Sequence, residues 1–218
     1  MYSTRPGDPA ILYWHGNGEI AADYDAIGPM YTRSGLTLLV VDYRGYGSSD
    51  GSPTCSNLLS DAVTVFDTLD RVFQDHELSP QGLYVMGRSL GSAAAIEVAR
   101  HAGDQLAGLI IESGFADTFA LLARLGMRAE EADEALDGFA NAAKMGLISM
   151  PTLIIHGRND VLIPATDGQE LLRRSAAKYK RLVLIPSAGH NDLMVVGETQ
   201  YFEAIRTFVV DCSGGEDP

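Results

Sequence analysis

The chain is poor in cysteine: Cys55 and Cys212 are the only two in 218 residues. Two thiols so far apart in sequence do not make a disulfide framework, and they favour free thiols in a reducing, cytoplasmic compartment. Basic residues are scarce too, with 16 Lys and Arg against 29 Asp and Glu and a formal net charge of −13. A nucleic-acid surface needs clustered Lys and Arg, so no nucleic-acid partner is expected. Long hydrophobic runs are missing. Nothing approaches the ~20 apolar residues of a membrane span, and the opening Met1-Tyr2-Ser3-Thr4-Arg5-Pro6 has no apolar stretch that would read as a secretory signal. There is no low-complexity block and no repeat.

What remains is a composition that can bury one sizeable core, 46% hydrophobic and 21% charged. Short apolar runs at 10–14, 37–42, 82–86, 107–112, 152–156 and 181–185 alternate with longer amphipathic stretches near 20–33, 56–75, 90–102, 117–145 (broken), 166–178 and 198–210. Most of the short runs are continuously apolar, as parallel strands covered on both faces should be. The alternation predicts a single α/β domain over 1–212 with a doubly wound, mainly parallel sheet of about six strands. Residues 113–150 form a small helical insertion after the fourth strand, and 213–218 a flexible tail.

In such a sheet the chemistry collects at the carboxyl ends of the strands, near the point where strand order reverses. The segments that follow the strands are His15-Gly16-Asn17-Gly18, Tyr43-Arg44-Gly45-Tyr46-Gly47, Gly87-Arg88-Ser89-Leu90-Gly91, Ser113-Gly114-Phe115, Gly157-Arg158-Asn159-Asp160 and Gly189-His190-Asn191-Asp192. The pattern G-x-S-x-G occurs twice, around Ser49 and around Ser89. Ser89 follows a strand and precedes a helix without a gap, which suits a sharp turn with an exposed hydroxyl at a helix N-terminus. Ser49 is followed by Gly51-Ser52-Pro53 and has no such context.

A serine hydroxyl needs a base, usually a histidine held by a carboxylate. His76 and His101 fall near surface helix ends, and His15 and His156 at strand termini suit packing or loop-bonding roles. His190 lies in a Gly-rich loop after the last strand. Asp160, in the loop after the fifth strand, is one loop away from it. Glu112 and Asp117 are the alternative acids.

The motifs at Leu12–Gly18, Asp42–Gly51, Gly87–Gly91, Ile154–Asp160 and Gly189–Asp192 resemble the α/β-hydrolase superfamily and, within it, the Bem46-like serine hydrolases. The resemblance runs over nearly the whole chain. It implies that Ser89 is the nucleophile, Asp160 the acid and His190 the base, with the backbone N–H groups of Asn17 and Leu90 as oxyanion donors. It implies no cofactor and no metal. The motif at His15-Gly16 normally ends the third strand of that fold and here ends the first. The sheet should therefore lack the two N-terminal strands and run in the order 2-1-3-4-5-6.

The implied activity is a cofactor-free serine hydrolase, a carboxylesterase or thioesterase acting on a small to medium acyl ester or thioester through an acyl-enzyme. An amidase or peptidase using the same triad, or a non-catalytic scaffold binding a ligand or protein, is the alternative. The insertion carries Phe115, Phe119, Leu122, Leu125, Met127, Leu136, Phe139 and Met145. Phe115, Phe119 and Leu122 are the candidates for an apolar lip that binds substrate, although helical apolar stripes more often cover a core. The expected partner is the small-molecule ester or thioester, and the sequence leaves a homodimer open.

Overall fold

The computed structural model describes residues 1–127, 133–134 and 137–214. Six strands, β1 (Ala10–Trp14), β2 (Thr37–Val41), β3 (Leu83–Arg88), β4 (Gly108–Glu112), β5 (Thr152–Gly157) and β6 (Lys180–Ile185), form one sheet. All five strand pairings are parallel, in the order β2-β1-β3-β4-β5-β6. Strand order reverses between β1 and β3, and the loops after these two strands carry Asn17 and Ser89. The free edge of β2 is met by the N-terminal segment, where Tyr2 and Leu38 exchange both backbone hydrogen bonds at 2.9 Å.

The helices are α1 (Gly28–Arg33), α2 (Cys55–Asp67), α3 (Leu69–Asp75), α4 (Gly91–Ala102), α5 (Thr118–Arg124), α6 (Asn141–Met145), α7 (Ala165–Arg174) and α8 (Leu193–Ser213). Helix α8 starts several residues earlier than its sequence pattern suggested and contains a non-helical residue at Gly197. The stretch around 56–75 divides into α2 and α3 at Thr68. Helix α2 begins where the Thr54 hydroxyl accepts the Asn57 N–H at 3.1 Å, which satisfies one of the first-turn donors left open by helix geometry.

Every residue of β1, β4 and β5 is buried, as is all of β3 but its first residue. Strand periodicity divides these residues between two cores. Leu12, Trp14, Val85, Leu109 and Ile111 pack with Ala94, Ala95 and Val98 of α4 and with Phe66 of α2. Ile11, Tyr13, Tyr84, Met86 and Ile110 pack on the other face with Tyr31 of α1 and Tyr201, Ile205 and Phe208 of α8. Continuous apolar strands are thus the product of covering both faces. Cys55 and Cys212 are both free thiols.

Within the insertion only α5 and α6 are helical among the described residues. Leu136, and the residues of the expected tail from 215 to 218, lie outside the described residues.

Candidate active site

Strand β3 runs straight into α4 through Ser89, and the turn depends on two glycines. A Cβ on Gly87 would stand 2.1 Å from the Gly91 carbonyl oxygen, and one on Gly91 would stand 2.0 Å from that of Trp14. No side chain fits at either position, so the helix start packs directly on the ends of β3 and β1. The turn drives Ser89 to φ +51°, a region a residue with a side chain enters at a penalty of ~1–3 kcal/mol. Local bonds offset the strain: the Ser89 N–H donates to the Glu112 carbonyl at 2.9 Å, and the Ser92 hydroxyl donates to the Ser89 carbonyl at 2.6 Å.

The Ser89 Oγ lies 2.9 Å from Nε2 of His190, and Nδ1 of His190 lies 2.7 Å from Oδ2 of Asp160. An ionised carboxylate only accepts, so Nδ1 carries the proton and the Nε2 lone pair faces the serine hydroxyl. The structure therefore brings together the three side chains singled out from the sequence. Asp160 is itself held at both oxygens. Its Oδ1 accepts the backbone N–H groups of Leu162 (3.0 Å) and Ile163 (2.8 Å), while Nε2 of His156 stands 3.5 Å from Oδ2. Burial alone would raise the carboxyl pKa, but the bonds from His156, His190 and Ile163 outweigh it and hold the group well below the usual carboxylate range.

The oxyanion donors expected at Asn17 and Leu90 occupy the loop after β1 and the first residue past Ser89. Among the described residues neither N–H is spent on a hydrogen bond. The loop around Asn17 is tied down on all sides. The Tyr43 hydroxyl donates to the His15 carbonyl at 2.5 Å, Gly16 N–H donates to Glu19 at 2.9 Å, and the Tyr46 hydroxyl donates to Oδ1 of Asn17 at 2.5 Å. Buried His15 faces Asp42 at 3.3 Å, so it serves this loop and stands apart from the serine.

The other candidates fall elsewhere. The Ser49 hydroxyl donates to the Asp42 carbonyl at 3.2 Å inside the loop after β2. Asp117 caps α5 by accepting the Ala120 N–H at 2.7 Å. Glu112 is buried, accepts from the Tyr201 hydroxyl at 2.6 Å and pairs with the Arg88 guanidinium, whose Nε lies 3.2 Å away.

Phe115 does not form part of an apolar lip. Phe115 is fully buried with Ala93, Phe139 and Ile163, its ring 5.8 Å from that of Phe139, and it forms part of the core. The reason is its position two residues past Ser113, where the chain is still packed between α4 and the loop after β5. Phe119 and Leu122 on α5 are half-buried and do not line the cavity between α2 and the loop after β2. That cavity has a volume of about 510 Å³. Leu58 and Val65 of α2, Tyr46 and Pro53 of the loop, and Trp14, Leu90 and Phe139 line it.

A second layer escaped sequence reasoning. The Arg88 guanidinium contacts Glu19, Glu112, the His190 carbonyl and the Asn191 side chain. The only signal for it was a glutamate ending an otherwise apolar strand, at Glu112.

The family model described as serine aminopeptidase, S33, matches residues 6–132, more than half of the chain. The human alpha/beta hydrolase domain-containing protein 17B is 30% identical over 207 residues, covering 91% of this chain; the chain spans 65% of that protein's length. An uncharacterized Mycobacterium tuberculosis protein is 29% identical over 210 residues, covering 96% of this chain and 73% of that one. Among solved structures, a monoacylglycerol lipase of Paleococcus ferrophilus superposes with a TM-score of 0.72 at 18% identity, covering 94% of this chain and 96% of that one. An esterase of Pyrococcus furiosus does so with a TM-score of 0.75 at 20% identity, covering 95% and 84%. Fold, strand order and family match agree, and the chain belongs to the serine aminopeptidase S33 family of the α/β-hydrolase superfamily.

Proposed function

We propose that the chain is a cofactor-free serine hydrolase that cleaves an acyl ester or thioester through an acyl-enzyme. The observation that carries this reading is the continuous relay from Ser89 Oγ to His190 Nε2 (2.9 Å) and from His190 Nδ1 to Asp160 (2.7 Å). Ser89 Oγ attacks the acyl carbon while His190 takes its proton, and Asp160 stabilises the imidazolium that forms. The negative charge on the former carbonyl oxygen falls to the N–H groups of Asn17 and Leu90, each worth ~3 kcal/mol of barrier. His190 then protonates the leaving alcohol or thiol. Water, deprotonated by the same imidazole, releases the acid and restores Ser89.

The acyl chain is assigned to the cavity beside α2. Leu90, the residue after Ser89, and Trp14 are among its walls, and Tyr46 both lines it and holds Asn17. A volume of about 510 Å³ lies within the ~300–1,000 Å³ range of small-molecule sites. Each methylene buried there contributes ~0.8 kcal/mol, or up to about fourfold in kcat/KM. Across p-nitrophenyl esters, kcat/KM is expected to climb from acetate through butyrate to hexanoate and then flatten as the chain leaves the walls. Leu58→Trp, which fills the cavity, should move the optimum to shorter chains. A flat profile from acetate to hexanoate would count against this cavity as the acyl site.

The test of the chemistry itself is covalent labelling. A fluorophosphonate should modify Ser89 stoichiometrically, as read by mass spectrometry, and a protein that stays unmodified is not a serine hydrolase. The family description keeps amide cleavage as a second reading, since the same triad serves it. Aminoacyl p-nitroanilides assayed beside the esters separate the two.

A further inference from the structure

We propose that Arg88 is a positioning residue, one that sets the oxyanion loop and the His190 loop at a fixed spacing around Ser89. The inference rests on the reading of Ser89 and His190 as nucleophile and base. The alternation that sends Tyr84 and Met86 of β3 to the α1/α8 face sends Arg88 there too, directly before the nucleophile. Glu112 is its cross-strand partner on β4.

One guanidinium then reaches two loops and the end of β4. Its Nε forms an ion pair with the Glu112 carboxylate at 3.2 Å, and Nη1 donates to Glu19. Its Nη2 donates to the His190 carbonyl and to Oδ1 of Asn191, both at 2.9 Å. Glu19 passes the hold onward: its other carboxylate oxygen accepts the Gly16 N–H at 2.9 Å, one residue before Asn17. An independent measure places the oxyanion loop on the guanidinium itself. A Cβ at Gly16 would stand 2.6 Å from Arg88 Nη1, so the backbone approaches as closely as glycine allows.

The arrangement is also buried and further hydrogen-bonded. Arg88 is 7% exposed and Glu112 1% exposed, and the hydroxyls of Tyr201 (2.6 Å) and Tyr13 (3.3 Å) donate to Glu112 from behind. Burial, and then the charge of Glu112, push the phenols of Tyr13 and Tyr201 well up, so both stay protonated as donors. Tyr24 donates to Glu19 at 2.8 Å in the same way. A planar fork with its donors pointing apart can hold two loops on opposite sides of one charge, whereas an ammonium on a flexible stem cannot. The groups it fixes are main-chain atoms of the loops that bear the Asn17 N–H and the His190 imidazole. Misplacing such groups by about 1 Å is enough for a ~100-fold loss of rate.

The experiment compares Arg88→Lys and Glu19→Gln with the wild-type protein. Steady-state kcat and KM are measured on p-nitrophenyl butyrate, with active sites counted by exhaustive fluorophosphonate titration so that misfolded protein drops out. Arg88→Lys is expected to lower kcat per titrated site ~100-fold with KM within threefold, and Glu19→Gln to lower it ~10-fold with the same split. The rate constant of phosphonylation should fall in parallel. A merely structural role would reduce the number of titrated sites and leave kcat per site alone. If Arg88→Lys does not fold, Glu19→Gln, whose charge is partly exposed and whose size is kept, decides. Titrated sites with kcat within threefold of wild type, or a rise in KM at constant kcat, overturn the proposal. A wild-type protein that cannot be phosphonylated at Ser89 overturns the hydrolase reading, and the proposal with it.

Discussion

Ser89→Ala is expected to lower kcat by ~10⁴-fold or more while the protein stays folded. The substitution removes the only group at the elbow that can form the acyl bond, and the relay loses its 2.9 Å link to His190. The backbone should tolerate it. Alanine meets the same penalty at φ +51° as serine, and the bonds that hold the turn run through the main chain of residue 89. Turnover of p-nitrophenyl butyrate, paired with far-UV circular dichroism and a thermal midpoint, checks both halves. The second G-x-S-x-G provides the contrast, because Ser49 holds its own loop through the Asp42 carbonyl. Ser49→Ala should lower kcat a few-fold at most. Near-normal turnover in Ser89→Ala would show that another residue carries the chemistry.

Asp160→Asn is expected to lower kcat ~10³–10⁴-fold with little change in fold. The carboxylate accepts from His190 Nδ1 and so keeps the Nε2 lone pair on the serine side. An amide can turn its NH₂ toward Nδ1, which favours the tautomer with the proton on Nε2 and leaves no base for Ser89. The same residue carries a pH signature in stability. Its folded pKa lies below the unfolded value of ~3.9, so its ionisation stabilises the fold fully above that value and is lost as pH falls toward the folded pKa. The stability gap between wild type and Asp160→Asn, read from urea midpoints, should therefore be widest near neutral pH and narrow below about pH 4. A gap that widens on acidification would mean that the carboxylate is not the stabilised form.

The sequence alone determined the α/β architecture and the residues that meet at Ser89, each for a local reason, while the strand order came from the resemblance of its motifs to the α/β-hydrolases. A strand covered on both faces needs an uninterrupted apolar run, so the six strands were visible one by one. Glycines flank Ser49 as they flank Ser89, so it was the strand directly before Ser89 and the helix directly after it that singled it out. His190 and Asp160 were legible because parallel strands deliver all their following loops to one edge of the sheet, whatever the exact packing.

The tertiary structure alone decided what surrounds them. Helical periodicity allowed Phe115 to be either lip or core. Its proximity to Ala93 and Ile163, which come from distant stretches of chain, made it core. The cavity is enclosed by Trp14, Tyr46, Leu58, Leu90 and Phe139, which come from five separate segments, and no pattern within one segment encodes such a space. The same holds for Arg88. Strand alternation says which face its side chain takes, but only the packed sheet says that Glu19, Glu112 and the His190 loop converge there. Local sequence sets backbone geometry because its sterics act over a few residues. Cavities and buried charge clusters form between segments, so their positions follow from how the whole chain packs.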